Sequence, residues 1–247
     1  TYIGTLTNTG TITGTSGSGA DYGRGMVLYS DVGSIDNAGV ISGYSGEIGY
    51  GFILDSTSTI TAVTNSGTII GSAVDTSAAG ILISDKSTIT TLTNTGTITA
   101  IASGDTGSDA YGIWLFDTSS VGTINNSGLI SGSAGSETGV GIGLTDSSSV
   151  GTITNSGTIT GSAGSLGYGI SVYDSSSVGT INNSGLISGA ADGTKAYGIF
   201  VDRTSTVGTI TNSGTITASA DDTAIGIKIQ SASSVGTLTN SGLISAS

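Results

Sequence analysis

The chain has 247 residues, 43 of them Gly, with no Pro, Cys or His, and its 17 acidic against 5 basic residues leave a net charge of −12. Without Cys or His there is no thiol nucleophile, imidazole base, Cys/His zinc site or Ser-His-Asp triad, and no disulfide marks the redox compartment. So few basic residues make nucleic acid a poor partner, and no apolar run is long enough for a membrane-spanning helix.

By count alone, low charge with much Gly, Ser and Thr signals disorder. The order of the residues points elsewhere. The tripeptide Asn-x-Gly recurs at Asn8, Asn37, Asn65, Asn94, Asn126, Asn155, Asn183, Asn212 and Asn240, at spacings of 28 or 29 residues with one of 32. These are nine copies of one unit, typified by residues 150–163 (VGTITNSGTITGSA). A second motif, Y-G-I-x-[VL]-x-D, lies between copies, as in residues 111–117 and 168–174.

Each unit contains three stretches of alternating apolar and polar residues, the signature of half-buried strands. Around Asn155 the first stretch turns Ile153 in, with Thr152 and Thr154 out. The second turns Ile159 in, with Thr158 and Thr160 out. The third turns Ile170 and Val172 in, with Ser171 and Tyr173 out. No helical period competes. Three short strands per unit predict an all-β parallel β-helix, a β-solenoid of about nine rungs of roughly 29 residues, because one unit cannot bury its Ile residues alone. Nine rungs at strand spacing extend roughly 40 Å. The predicted inward columns are Leu6, Ile35, Leu92, Ile124, Ile153, Ile181, Ile210 and Leu238, then Ile12, Ile41, Ile69, Ile98, Ile130, Ile159, Ile187, Ile216 and Ile244. Residues 1–247 read as one repeat domain. The absence of an initiator Met or a signal pattern before Thr1 reads as a piece of a longer array.

The parity of the nine Asn matches the inward Ile, which predicts a corner position and a stacked amide ladder. The Gly two residues later is expected to supply a positive φ for that corner.

Repeats of the N-S-G-T-I-[TS]-G type alternating with Y-G-I-x-V-x-D resemble the passenger domains of bacterial autotransporters and related large surface adhesins. The resemblance covers all nine units. It implies a parallel β-helix, export to the bacterial cell surface and an adhesive or scaffolding role, and it implies no catalytic residues.

Four features carry possible chemistry. Asp85, Asp117, Asp146 and Asp174 fall in register after the third strand, but Arg203 and Ser231 interrupt the row. Calcium could occupy Asp-containing loops such as 103–109 or Asp221-Asp222, whereas Asx-type turns account for the same residues with no metal. No cofactor is expected. The acids occur in repeat register or in loops, with no non-repeating polar cluster, so no enzyme is expected. T-x-T rows such as Thr152/Thr154 and Thr209/Thr211 admit ice binding, yet Asp36, Ala62, Asn125 and Asn182 interrupt them.

The outward register of the third strand holds Val27, Ile53, Leu82, Trp114, Phe116, Tyr173 and Phe200, large groups where solvent is expected. Two readings follow: a contact strip for lateral packing or adhesion, or a strip covered by the loop before Y-G-I. The functional expectation is a non-catalytic extracellular rod. Its partners would be further copies, end to end or side by side, or a host or neighbouring cell surface. A ligand-recognising solenoid, for ice or glycans, is the alternative.

Overall fold

The Thr/Ile alternation is realised as strand throughout the computed structural model, which describes residues 2–17 and 22–247; Thr1 and residues 18–21 lie outside the described residues. Among the described residues there are 26 strands and no helix. The repeat around Asn155 uses Ser149–Asn155, Thr158–Ala163 and Leu166–Val172. Equivalent strands of successive repeats pair in parallel, giving sheets of nine, nine and eight strands. Register is kept residue for residue, so that Ile124 pairs with Ile153 and Ile153 with Ile181. The molecule is a parallel β-solenoid.

The core runs down the axis between the three sheets. Ile153, Ile159, Ile170 and Val172 are fully buried, as the alternation requires. Burying each such side chain contributes about 1.5–3 kcal/mol relative to exposure. Val63 fills the gap in the first predicted column. A further inward column, including Val32, Ile60, Ile89, Val121, Val150 and Val178, runs along the start of the first sheet. Leu6, Ile12 and Ile244 are partly buried against the core. Leu238 departs from expectation at 50% exposed, because the outermost described rung is covered on one side only.

The Asn corner is a ladder. Each Nδ2 from Asn8 to Asn212 donates to Oδ1 of the next Asn at 2.7–2.8 Å. Each also donates to a main-chain carbonyl of the next rung, Asn155 to Leu186 at 3.0 Å for instance. The Gly beside it has a different role from the one expected. Gly107 is the one described glycine with positive φ. A Cβ on Gly157 would sit 2.2 Å from the Gly128 carbonyl oxygen, so this column is glycine because the stacked corners leave no room for a side chain.

Positive φ occurs at the following corner, after the third strand, in residues that are not glycine. Asp146 and Ser147 have φ of 53° and 62°, and the pattern recurs at Asp85/Lys86, Asp117/Thr118, Asp174/Ser175 and Arg203/Thr204. Two left-handed residues in a row turn the peptide planes over. Ser147 N–H therefore donates forward to the Asp174 carbonyl, whereas Ser149 N–H donates back to Ser119. Just beyond, a column of buried serines, including Ser58, Ser87, Ser148, Ser176 and Ser205, lines the inside of the turn. The hydroxyls of Ser87, Ser176 and Ser205 accept from the serine N–H of the preceding rung, as Ser176 Oγ does from Ser148 N–H at 3.2 Å, whereas Ser148 Oγ is buried without a partner.

The third strand bends at its central glycine. A Cβ on Gly169 would lie 2.6 Å from Ile187 Cγ2, so the strand backbone rests directly on the Ile column of the second sheet. Gly169 and Ile170 therefore both face in, and Tyr168 is turned outward. Strict alternation would have placed Tyr168 on the same side as Ile170.

Candidate functional site

The outward face of the third sheet carries the candidate site. The bend puts the Tyr of each Y-G-I motif beside the strip expected from the sequence. One register row reads Tyr50, Ala79, Tyr111, Val140, Tyr168 and Tyr197. Three residues further along each strand, Ile53, Leu82, Trp114, Gly143, Ser171 and Phe200 form the second row. The Tyr row was not anticipated, although its recurrence immediately before Gly was the available signal.

The strip is not uniformly exposed. Ile53, Leu82 and Phe200 are 4%, 8% and 6% exposed, whereas Val27, Trp114, Phe116 and Tyr173 are half-buried. The cover comes from the outward side chains themselves. Ile53 and Leu82 pack with Tyr50 and Ala79, and with the edges of Val27, Tyr111 and Trp114. Trp114 stacks on Tyr111 at 4.5 Å between centroids and touches Phe116 at 5.7 Å. A second group joins Tyr168, Tyr197, Phe200 and Tyr173, with Phe200 4.8 Å from Tyr197 and 5.4 Å from Tyr168.

Between the two aromatic groups the side chains become small, at Gly143 and Ser171. A groove of about 430 Å³ lies there, walled by Tyr111 and Trp114 on one side and by Tyr168, Tyr173 and Phe200 on the other. A Cβ at Gly143 would lie 2.9 Å from the Tyr111 ring, so the bare glycine is what lets that ring lean across the floor. The Trp114 indole N–H donates to Thr145 Oγ1 at 3.3 Å, which holds the indole along the groove wall.

The polar rim is acidic and hydroxylic. Asp146, Asp174, Asp202, Thr138, Thr145 and Ser171 all border the groove. Arg203 pairs with Asp174 at 3.3 Å and lies 4.4 Å over the Tyr173 ring. Lys228 stands 5.3 Å over Tyr197. Burial works against the charge on Asp202. Hydrogen bonds from Ser231, Gln230 and the Arg203 N–H, with the Arg203 charge, outweigh it and hold the carboxyl below its ordinary range. Burial pushes the Tyr111 and Tyr168 phenols up, with the Asp109 charge adding at Tyr111 and Tyr197 at Tyr168. Both are therefore protonated hydrogen-bond donors at any physiological pH.

The remaining predicted sites resolve simply. All nine Asn lie in the ladder and face away from the groove. The Asp85–Asp174 row occupies the left-handed corner. Among the described residues no group of three or more carboxylates is placed to hold a metal ion. No described helix is long and apolar enough to cross a membrane.

In comparisons with protein-family models, with curated proteins and with solved structures, nothing matches this chain. Fold and site define the class without a relative: a parallel β-solenoid on an asparagine ladder, with an aromatic groove on one face.

Proposed function

We propose that this chain is a non-catalytic extracellular repeat rod of a bacterial surface or fibre, and that its third sheet is an adhesive face. The observation that carries the reading is the confinement of the ring clusters to one side of the rod. All the ring–ring contacts among the described residues involve outward residues of the third strands and the corners that follow them. The outward first sheet, by contrast, is Thr-rich, with Thr123, Thr152, Thr180, Thr209 and Thr237 in one row. Clustered aromatic groups with a polar rim are how protein contact surfaces concentrate binding energy. The absence of His and Cys and the resemblance of the repeats to autotransporter passenger domains support the same reading.

Trp114→Ser tests it. The expected outcome is about tenfold weaker self-association or cell-surface binding, the order expected for one aromatic anchor, in a chain that keeps its β-sheet circular dichroism. Unaltered sedimentation and unaltered cell binding together would remove the adhesive face.

The run of Thr from Thr91 to Thr237, preceded in the same row by Ser34 and Ala62, favours ice binding as a second reading. The row beside it alternates Asn125, Thr154, Asn182 and Thr211, which breaks the lattice match an ice plane needs. Absence of thermal hysteresis would end that reading.

A further inference from the structure

Resting on the assignment of the third sheet as a binding face, we propose that the groove between Trp114 and Phe200 binds an uncharged oligosaccharide. Trp114 and Phe200 are three rungs apart in one register row, a separation of roughly 14 Å at strand spacing. The two rungs between them carry Gly143 and Ser171, where other rungs of the row carry Leu82 or Ile53. The groove exists because two successive rungs lack the bulk that their neighbours have. Its volume of about 430 Å³ is within the ordinary range of small-ligand sites.

The chemistry of the walls selects the ligand. A pyranose ring has an apolar C–H face and a hydroxylated edge, so it needs flat aromatic surface beside hydrogen-bonding groups. Tyr111, Trp114, Tyr168 and Tyr173, all part-exposed, supply the surface, and Phe200 packs behind them. Thr138, Thr145, Ser171 and Asp146 supply the edge partners. Anionic sugars are disfavoured by the carboxylates of Asp146, Asp174 and Asp202 on the rim. A cationic ligand would find its places already taken. Arg203 covers Tyr173 and pairs with Asp174, Lys228 covers Tyr197, and both oxygens of Asp202 accept from Arg203 N–H and Gln230. What remains for a ligand is hydroxyls, phenols and one carboxylate, which suits a neutral polyol.

Trp114 is the single Trp of the chain, so its emission reports groove occupancy directly. The whole chain is titrated with cellohexaose, maltohexaose and chitohexaose, and in parallel with a galacturonate hexamer and with choline. The expected result is a saturable emission change with at least one neutral sugar, and at least tenfold weaker binding of the acidic one. Ser171→Leu fills the groove with the side chain that Leu82 already carries in the same row, and so keeps the fold; it is expected to weaken binding at least tenfold at unchanged melting temperature. Tyr173→Ala, at the part-exposed ring of the far wall, is the second variant, with the same expected loss read by calorimetry. Three outcomes overturn the proposal: no saturable change with any neutral sugar, an equal or larger response to galacturonate or choline, or a Ser171→Leu protein that binds like the parent. If adhesion depends on Trp114 while neutral sugars neither bind nor compete, the ligand class is wrong and the adhesive face stands. If sugars bind in the groove while Trp114→Ser leaves adhesion intact, the reverse holds.

Discussion

Asn155 shows how one residue type holds a solenoid corner. Its amide accepts from Asn126 and donates to Asn183, both at 2.8 Å, and it is fully buried. Replacement by Ala leaves the Asn126 donor and the Asn183 acceptor buried without their partner. Asn155→Ala is therefore expected to cost about 1–3 kcal/mol, read as a lower midpoint in chemical denaturation. The ladder was legible because all nine units carry the Asn at inward parity. The Ser column was not. In S-S-S nothing local says that Ser176 is buried while Ser175 lies outside. Asp109 is the opposite case, a residue at odds with its place. One carboxylate oxygen is buried with no partner. Burial raises its pKa, the Glu137 charge adds, and hydrogen bonds from Thr138 pull the other way without prevailing. A raised carboxyl pKa favours the protonated form in the fold, so this contribution to stability is present at low pH and is lost as pH rises through the interval above about 4. Asp109→Thr, matching Thr138 in the next rung, is expected to raise the melting temperature at neutral pH and to leave it unchanged near pH 3.

At the scale of the strand and corner, the backbone sets which residues are allowed. The left-handed corner accepts Asp and Ser but also Thr118, a β-branched residue at φ 62°. Such a conformation is strained for Thr. At Thr57 and Thr204 the hydroxyl donates to the preceding carbonyl, at 2.7 and 2.6 Å. Thr118→Gly removes the Cβ clash at some cost in chain entropy, for a net gain of about 0.5–1 kcal/mol measurable by thermal melting. The N-x-G corner teaches the complementary lesson. Read locally, Gly in a turn points to positive φ, the commonest reason for glycine there. The actual reason is a carbonyl of the neighbouring rung, which no local pattern contains. The Tyr column escaped for the same cause. Gly169 resting on Ile187 bends the strand, and the bend reverses the parity of Tyr168.

For the molecule as a whole, each repeat contacts chiefly its two neighbours, and stability accumulates as a sum over interfaces. Deleting residues 60–88 joins Thr59 to Ile89, which is the register partner of Ile60, and leaves the groove rungs untouched. The shortened chain is expected to keep the same β-sheet circular dichroism per residue and to lose only a few degrees of melting temperature. Loss of the sheet signal would contradict the additive picture. The fold class, the strand count per repeat, the inward Ile columns and the Asn ladder were all readable from periodicity, because in a solenoid the contacts beyond the strand repeat at one fixed interval. The groove was not readable as a groove. Seven strip residues were named from parity, but their grouping depends on which rungs lack bulk. Gly143 and Ser171 look like ordinary members of a Gly- and Ser-rich chain. Packing turns them into a floor, since Tyr111 and Trp114 close one side and Tyr168 and Phe200 the other. Periodicity specifies what each rung shares with the others. A site arises where neighbouring rungs differ, and that difference acquires a shape only when the rungs are stacked.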